Sequence, residues 1–123
     1  MQLTGSIFKG RQEGAHYVEL YQEEIRKLDI EPFYGTLNIR VDPKKRKEFL
    51  DHVSPTKISG FSKDGNKYGG LFCYVCKDKD QNSLIVVVPE KTHHNEDVLE
   101  IVSTKNLRKE FNLNFGDAFT LFY

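Results

Sequence analysis

Glu31-Pro32-Phe33-Tyr34-Gly35-Thr36-Leu37-Asn38-Ile39-Arg40-Val41 begins as a turn and ends as a strand. Pro32 fixes its own φ and Gly35 accepts backbone angles closed to other residues, so the chain can bend sharply before Thr36. Beyond the bend, side chains alternate between two faces. Leu37, Ile39 and Val41 share the apolar one; Thr36, Asn38 and Arg40 share the polar one. Thr36 and Asn38 then stand roughly 7 Å apart along the strand, within joint reach of one small ion. A hydroxyl and a carboxamide are weak ligands. They suit a hard cation such as Mg²⁺, which keeps several waters and takes further oxygens from a substrate phosphate. The same alternation also describes any half-buried antiparallel strand, so the pattern alone leaves both a plain sheet edge and a site open.

The 123 residues suit one domain, taken as 1–123, and carry eighteen basic and eighteen acidic side chains. A net charge of zero gives no field favouring nucleic acid or an anionic membrane, and a small ligand fits the balance better. The first ten residues lack the charged and apolar blocks of a signal peptide, and no apolar run approaches membrane-spanning length. A soluble, cytoplasmic monomer is expected. The basic run Lys44 to Lys47 has Glu48 and Asp51 beside it, which reads as a solvated face more readily than as a nucleic-acid patch.

Upstream, Leu3 to Lys9 reads as a strand, Gly10 to Ala15 as a loop and His16 to Leu20 as a second strand. Glycines at both ends of that loop could turn amide hydrogens toward phosphate, with Arg11 adding charge, or could simply shape a long hairpin. Tyr21, Ile25 and Leu28 have helical spacing. Asp42-Pro43 signals a helix start. Lys57 to Lys77 reads as a hairpin turning at Asp64-Gly65-Asn66, with a bulge or close approach at Gly69-Gly70. Cys73 and Cys76, in Leu71-Phe72-Cys73-Tyr74-Val75-Cys76, would face opposite ways on a strand, which suits buried structural thiols rather than a zinc or redox pair. Leu84 to Val88 is apolar throughout and implies a strand buried on both sides. Glu100, among aliphatic residues, points either to solvent or into a pocket where it accepts a hydrogen bond. His93-His94 reads as surface. Thr104 is expected to cap a helix from Lys105 to Phe111, and Asn112 to Asp117 to turn into a last strand, Ala118 to Tyr123. Together these predict a mainly β fold, a small β-barrel with short peripheral helices.

Taken in order, Gly10-x-x-Glu13-Gly14-Ala15, Glu31-Pro32-x-x-Gly35-Thr36-Leu37-Asn38, Tyr68-Gly69-Gly70, Val88-Pro89-x-Lys91-Thr92-x-His94, Glu100-Ile101, Leu107-Arg108-x-x-Phe111-Asn112-Leu113 and Gly116-Asp117 resemble the archaeal CTP-dependent riboflavin kinases over nearly the whole chain. The resemblance implies a six-stranded barrel of riboflavin-synthase-like, cradle-loop type. It also implies transfer of the γ-phosphate of CTP to the 5′-hydroxyl of riboflavin, giving FMN and CDP. By position it implies that Thr36 and Asn38 hold Mg²⁺, that Gly10, Arg11, Gln12, Glu13, Gly14 and Ala15 contact the nucleotide, and that Lys105, Asn106, Leu107 and Arg108 complete its site. Thr92 and Glu100 would contact the flavin. Gln12 departs from the family pattern, which commonly has a second glycine there. No Asp or Glu stands out as a general base, and His94 is only a candidate. A flavin- or nucleotide-binding barrel without catalysis is the alternative reading.

Overall fold

A computed structural model of the chain describes residues 1–10, 14–90 and 96–123. Strand β1 (Gln2–Phe8) leads to helix α1 (Gly14–Arg26), strand β2 (Leu37–Arg40) and helix α2 (Pro43–His52). Short strands β3 (Thr56–Ile58), β4 (Phe61–Lys63) and β5 (Asn66–Tyr68) follow, then the long strands β6 (Leu71–Lys77), β7 (Ser83–Pro89) and β8 (Val98–Ser103). Helix α3 (Leu107–Glu110) and strand β9 (Ala118–Phe122) end the chain.

Six antiparallel strands close in the order β6-β7-β8-β2-β1-β9, and β9 returns to β6 where Phe122 pairs with Lys77. This is the expected mainly β, six-stranded barrel with short helices. Strand β3 pairs with the other half of β6. Closure removes open edges from the six-strand sheet.

Alternation along the strands fills two cores. Leu37 and Ile39, with Leu3, Ile7, Leu84, Val86, Leu99, Ile101 and Leu121, fill the barrel interior. Ile85, Val87, Val102, Leu71 and Cys73 point the other way and are covered by Val18, Tyr21 and Ile25 of α1. The apolar run of β7 is thus buried on both faces, as its composition requires. Cys73 and Cys76 lie in different cores, both free and buried. Burial pushes their thiols up, to about 11 and about 12.

Four expectations are corrected. His16 to Leu20 is not a strand but part of α1, because Val18, Tyr21 and Ile25 recur at helical spacing and bury one stripe against the sheet. Gly14 and Ala15 consequently open that helix instead of ending a hairpin loop. The segment 57–77 is two pairings, not one hairpin. β4 and β5 turn at Asp64-Gly65, while β3 joins β6, and a Cβ on Gly60 or Gly70 would collide with the backbone of the opposite segment. Finally, the last helix is shorter than predicted, and Asn106, not Thr104, caps it by accepting from Lys109 N at 3.3 Å. The Asp42 cap of α2 is present, its side chain accepting from Lys44 N at 2.8 Å. Lys44, Lys45 and Lys47 are exposed, and Lys47 pairs with Asp51 at 2.6 Å.

Candidate functional site

The turn before β2 is anchored from both sides. Phe33 N donates to Ser103 O at 2.7 Å and Gly35 N to Phe33 O at 2.9 Å, while Tyr34 Oη donates to Gln22 Oε1 of α1. Arg26 grips Glu31 with two nitrogens, at 2.8 and 2.9 Å. These ties hold Thr36 at the rim of the barrel, where β2 and the segment after β8 diverge.

A cleft of about 180 Å³ opens there. Leu37, Ile101 and Leu107 form its floor; Phe33, Gly35 and Thr36 line one wall, and Lys105, Asn106 and Arg108 the other. Thr36 and the Lys105–Arg108 segment, about seventy residues apart in sequence, therefore face one space. Ser103 Oγ accepts from Lys105 N at 3.2 Å and shapes the second wall. Arg108 lies over the Phe115 ring, 4.0 Å from its centroid, and its Nε donates to Leu113 O at 3.4 Å. Lys105 pairs with Glu110 at 3.1 Å. Both cations stay well exposed.

Gly10 and Gly14 touch the polar face of β2 directly. A Cβ on Gly10 would overlap the Asn38 carboxamide, and one on Gly14 would overlap Thr36 Oγ1. Neither glycine has a positive φ, so what they supply is room, not conformational freedom. Gly10 and Gly14 thus lie against Asn38 of β2 and Thr36 just before it. Arg11, Gln12 and Glu13 lie outside the described residues, as do Thr92, His93 and His94.

Glu100 enters through strand register. Phe8 of β1 pairs with Asn38, Asn38 with Glu100, Glu100 with Val87, and Val87 with Cys73. These five side chains share the outer face in one row across five strands, neighbours about 4.8 Å apart. Glu100 is half-buried and does not point freely to solvent. Tyr17 of α1 is close to it: burial pushes the Tyr17 phenol up, and the charges of Tyr21, Glu100 and Cys73 push the same way.

Among the described residues no three His, Cys, Asp or Glu side chains gather as a metal site. Among the described residues, the side-chain oxygens that β2 and the turn before it offer a cation on this face are neutral ones, from Thr36 and Asn38, with the Glu100 carboxylate on the neighbouring strand. Such a set fits a hard ion that brings most of its own oxygen ligands. Phe33, Ser103 and Tyr17 were not singled out by sequence reasoning. Of these only Phe33 carried a signal, an aromatic pair in a Pro-x-x-Gly turn; its ring is 40% exposed at the cleft.

Closed barrel, rim cleft and glycine-lined polar strand define a small six-stranded β-barrel domain with a cleft at its rim. A family model for the CTP-dependent riboflavin kinase domain, described as domain of unknown function DUF120, matches residues 7–122. Similar proteins named riboflavin kinase come from Pyrobaculum aerophilum (38% identity over 122 residues, 95% of this chain and 58% of that protein), Pyrococcus furiosus (39% over 117 residues, 94% and 55%) and Ignicoccus hospitalis (34% over 122 residues, 95% and 68%). The chain belongs to the CTP-dependent riboflavin kinase family, as the ordered motifs led us to expect. It spans a little over half the length of the Pyrobaculum and Pyrococcus relatives. Among the described residues no helix is long and apolar enough to cross a membrane.

Proposed function

We propose that this domain transfers the γ-phosphoryl group of CTP to the 5′-hydroxyl of riboflavin. The ribityl oxygen forms a bond to Pγ, the bond from Pγ to the β-phosphate oxygen breaks, the hydroxyl proton is lost, and FMN and CDP leave. One observation carries this reading beyond family membership: Gly10 and Gly14 seat on Asn38 and Thr36, and Thr36 shares a cleft with Lys105–Arg108. Sequence-distant segments expected to serve the nucleotide and the metal are thereby adjacent.

Phosphoryl transfer needs positioning and charge neutralisation more than covalent catalysis. Gly14 and Ala15 open a 13-residue helix. Its first amide hydrogens have no intrahelical partner, and its dipole favours anions, which suits a phosphate chain on the Gly10 to Ala15 segment. Arg11, Gln12 and Glu13 belong to that segment. Lys105 and Arg108 add positive charge from the opposite wall, and the main chain of Lys105, Asn106 and Leu107 offers donors and acceptors to a pyrimidine base. Thr36 and Asn38 would hold Mg²⁺, which when bound neutralises phosphate charge. Glu100, with Thr92, would receive the flavin, the carboxylate accepting the ring N–H.

The test is to incubate the protein with riboflavin, Mg²⁺ and CTP, ATP, GTP or UTP in turn and separate the products chromatographically. FMN with CTP is the expected result. Its absence with every nucleotide, while flavin still binds, would leave a binding barrel without catalysis. FMN with ATP alone would overturn the donor assignment.

A further inference from the structure

Tyr17 has a hydroxyl that is closed to solvent and has no hydrogen-bond partner among the described residues. Its neighbour differs. Tyr21, whose ring lies 4.9 Å away, donates its hydroxyl to Gly69 O at 2.7 Å. Native interiors seldom leave a polar atom unbonded, and such an atom calls for an explanation. Tyr17 stands on α1 above the row Glu100–Val87–Cys73, since Val18 and Tyr21 of the same helix pack with Val87 and Cys73, and both Glu100 and Cys73 act on the Tyr17 hydroxyl electrostatically.

We propose that Tyr17 is a flavin-binding residue whose hydroxyl donates a hydrogen bond to a carbonyl on the pyrimidine edge of the ring, beside the N–H that Glu100 accepts. This rests on the reading of Glu100 as the flavin contact. The edge presents carbonyl, N–H and carbonyl in succession. A carboxylate can answer only the N–H, because an ionised carboxylate accepts and does not donate. A donor is needed next to it. Tyr17 is the unspent donor above the same row. Its ring also begins an aromatic run suited to a flat heterocycle: Tyr21 lies 5.1 Å from Phe61, and Phe61 lies 5.3 Å from Tyr68. The hydroxyl is covered, so the ring edge has to displace part of that cover, and the bond is made only in the complex.

The experiment uses the full chain with riboflavin as the probe, titrated by quenching of flavin fluorescence, with thermal unfolding recorded in parallel. Tyr17→Phe should raise Kd about 5- to 10-fold, the share of one neutral hydrogen bond. The KM for riboflavin should rise in step and the KM for CTP should not move. Tm should stay level or increase, because no bond among the described residues is lost. Lumichrome keeps the ring edge and lacks the ribityl chain, and should show the same loss. An unchanged riboflavin Kd, with or without a lowered Tm, would overturn the proposal and make the hydroxyl a feature of folding only. A loss seen with riboflavin but not lumichrome would overturn the ring-edge assignment. Glu100→Gln distinguishes the levels: weaker binding in Glu100→Gln but not in Tyr17→Phe refutes Tyr17 alone. If neither variant weakens binding, the Glu100 placement and this proposal fail together. A wild-type chain that binds no riboflavin refutes the functional reading and this proposal with it.

Discussion

Replacing Gly14 by alanine should separate turnover from folding. The added methyl would overlap Thr36 Oγ1 and lie 3.0 Å from Thr36 N and 3.2 Å from its Cβ. Rotation of the Thr36 side chain can relieve the first contact but not the others, so Thr36 or the start of α1 must shift by several tenths of an ångström. Overpacking of this kind costs roughly 1–3 kcal/mol. Alanine regains about 1 kcal/mol of helix propensity over glycine. The net loss, about 0–2 kcal/mol, is small beside the ~5–15 kcal/mol typical of a folded domain. Catalysis is less tolerant, because misplacing a positioning group by about 1 Å can lower a rate on the order of 100-fold. We therefore expect FMN formation at saturating CTP, riboflavin and Mg²⁺ to fall about 10- to 100-fold, with the circular dichroism spectrum intact and Tm lowered by only a few degrees. Gly69→Ala is the control, since nothing lies within 4 Å of a Cβ there; it should retain turnover within about twofold. Full turnover in Gly14→Ala would refute the idea that the helix start and Thr36 act as one unit.

Thr36→Val and Asn38→Leu should each lower turnover on the order of 100-fold while riboflavin still binds; wild-type rates in both would end the Mg²⁺ assignment. Asp78, 2% exposed, accepts from Asp80 N at 2.8 Å, Asn82 N at 2.9 Å and Asn82 Nδ2 at 3.1 Å, closing the turn from β6 to β7. Its replacement by alanine should destabilise the chain by roughly 2–3 kcal/mol in urea unfolding, and a negligible change would show that the turn closes without it. The raised thiols of Cys73 and Cys76, at about 11 and about 12, bind their protons more tightly folded than unfolded. An unfolded thiol ionises at roughly 8.5, so their contribution to stability is complete below that pH and is lost as pH rises through 11 and 12. At pH 8 a thiol-specific chromogenic reagent should find neither cysteine in the native protein and both in denaturant; rapid native labelling would contradict the burial.

Strand alternation made the barrel legible wherever one residue type dominates one face. Leu37, Ile39 and Val41 are buried as their spacing implies, and the run Leu84 to Val87 could only suit a strand covered twice. The start of α1 was not legible, because Tyr17-Val18-Glu19-Leu20 satisfies a two-residue alternation as well as a helical one. What decides is the sheet beneath, which offers a flat apolar face to Val18, Tyr21 and Ile25 together. The hairpin reading of 57–77 failed for a related reason: the glycines mark where strands change partners, and a change of partner is not written in one strand's pattern.

The site shows the same limit more sharply. Alternation tells which face Asn38 occupies, yet says nothing of what stands beside it. Register supplies that: β2 runs between β1 and β8, so Asn38 has Phe8 on one side and Glu100 on the other, and Gly10 follows Phe8 closely enough to fold back onto Asn38. A strand between two others gathers side chains from the segments that enter and leave both. That is why a motif of two weak ligands, unremarkable as a pattern, lies where Gly10, Gly14 and the carboxylate strand meet. It also means that a change displacing β2 relative to β8 by two residues would preserve every alternation in the chain while parting Asn38 from Glu100. Under the proposed activity, such a change would separate the phosphate and flavin halves of the site without exposing the core.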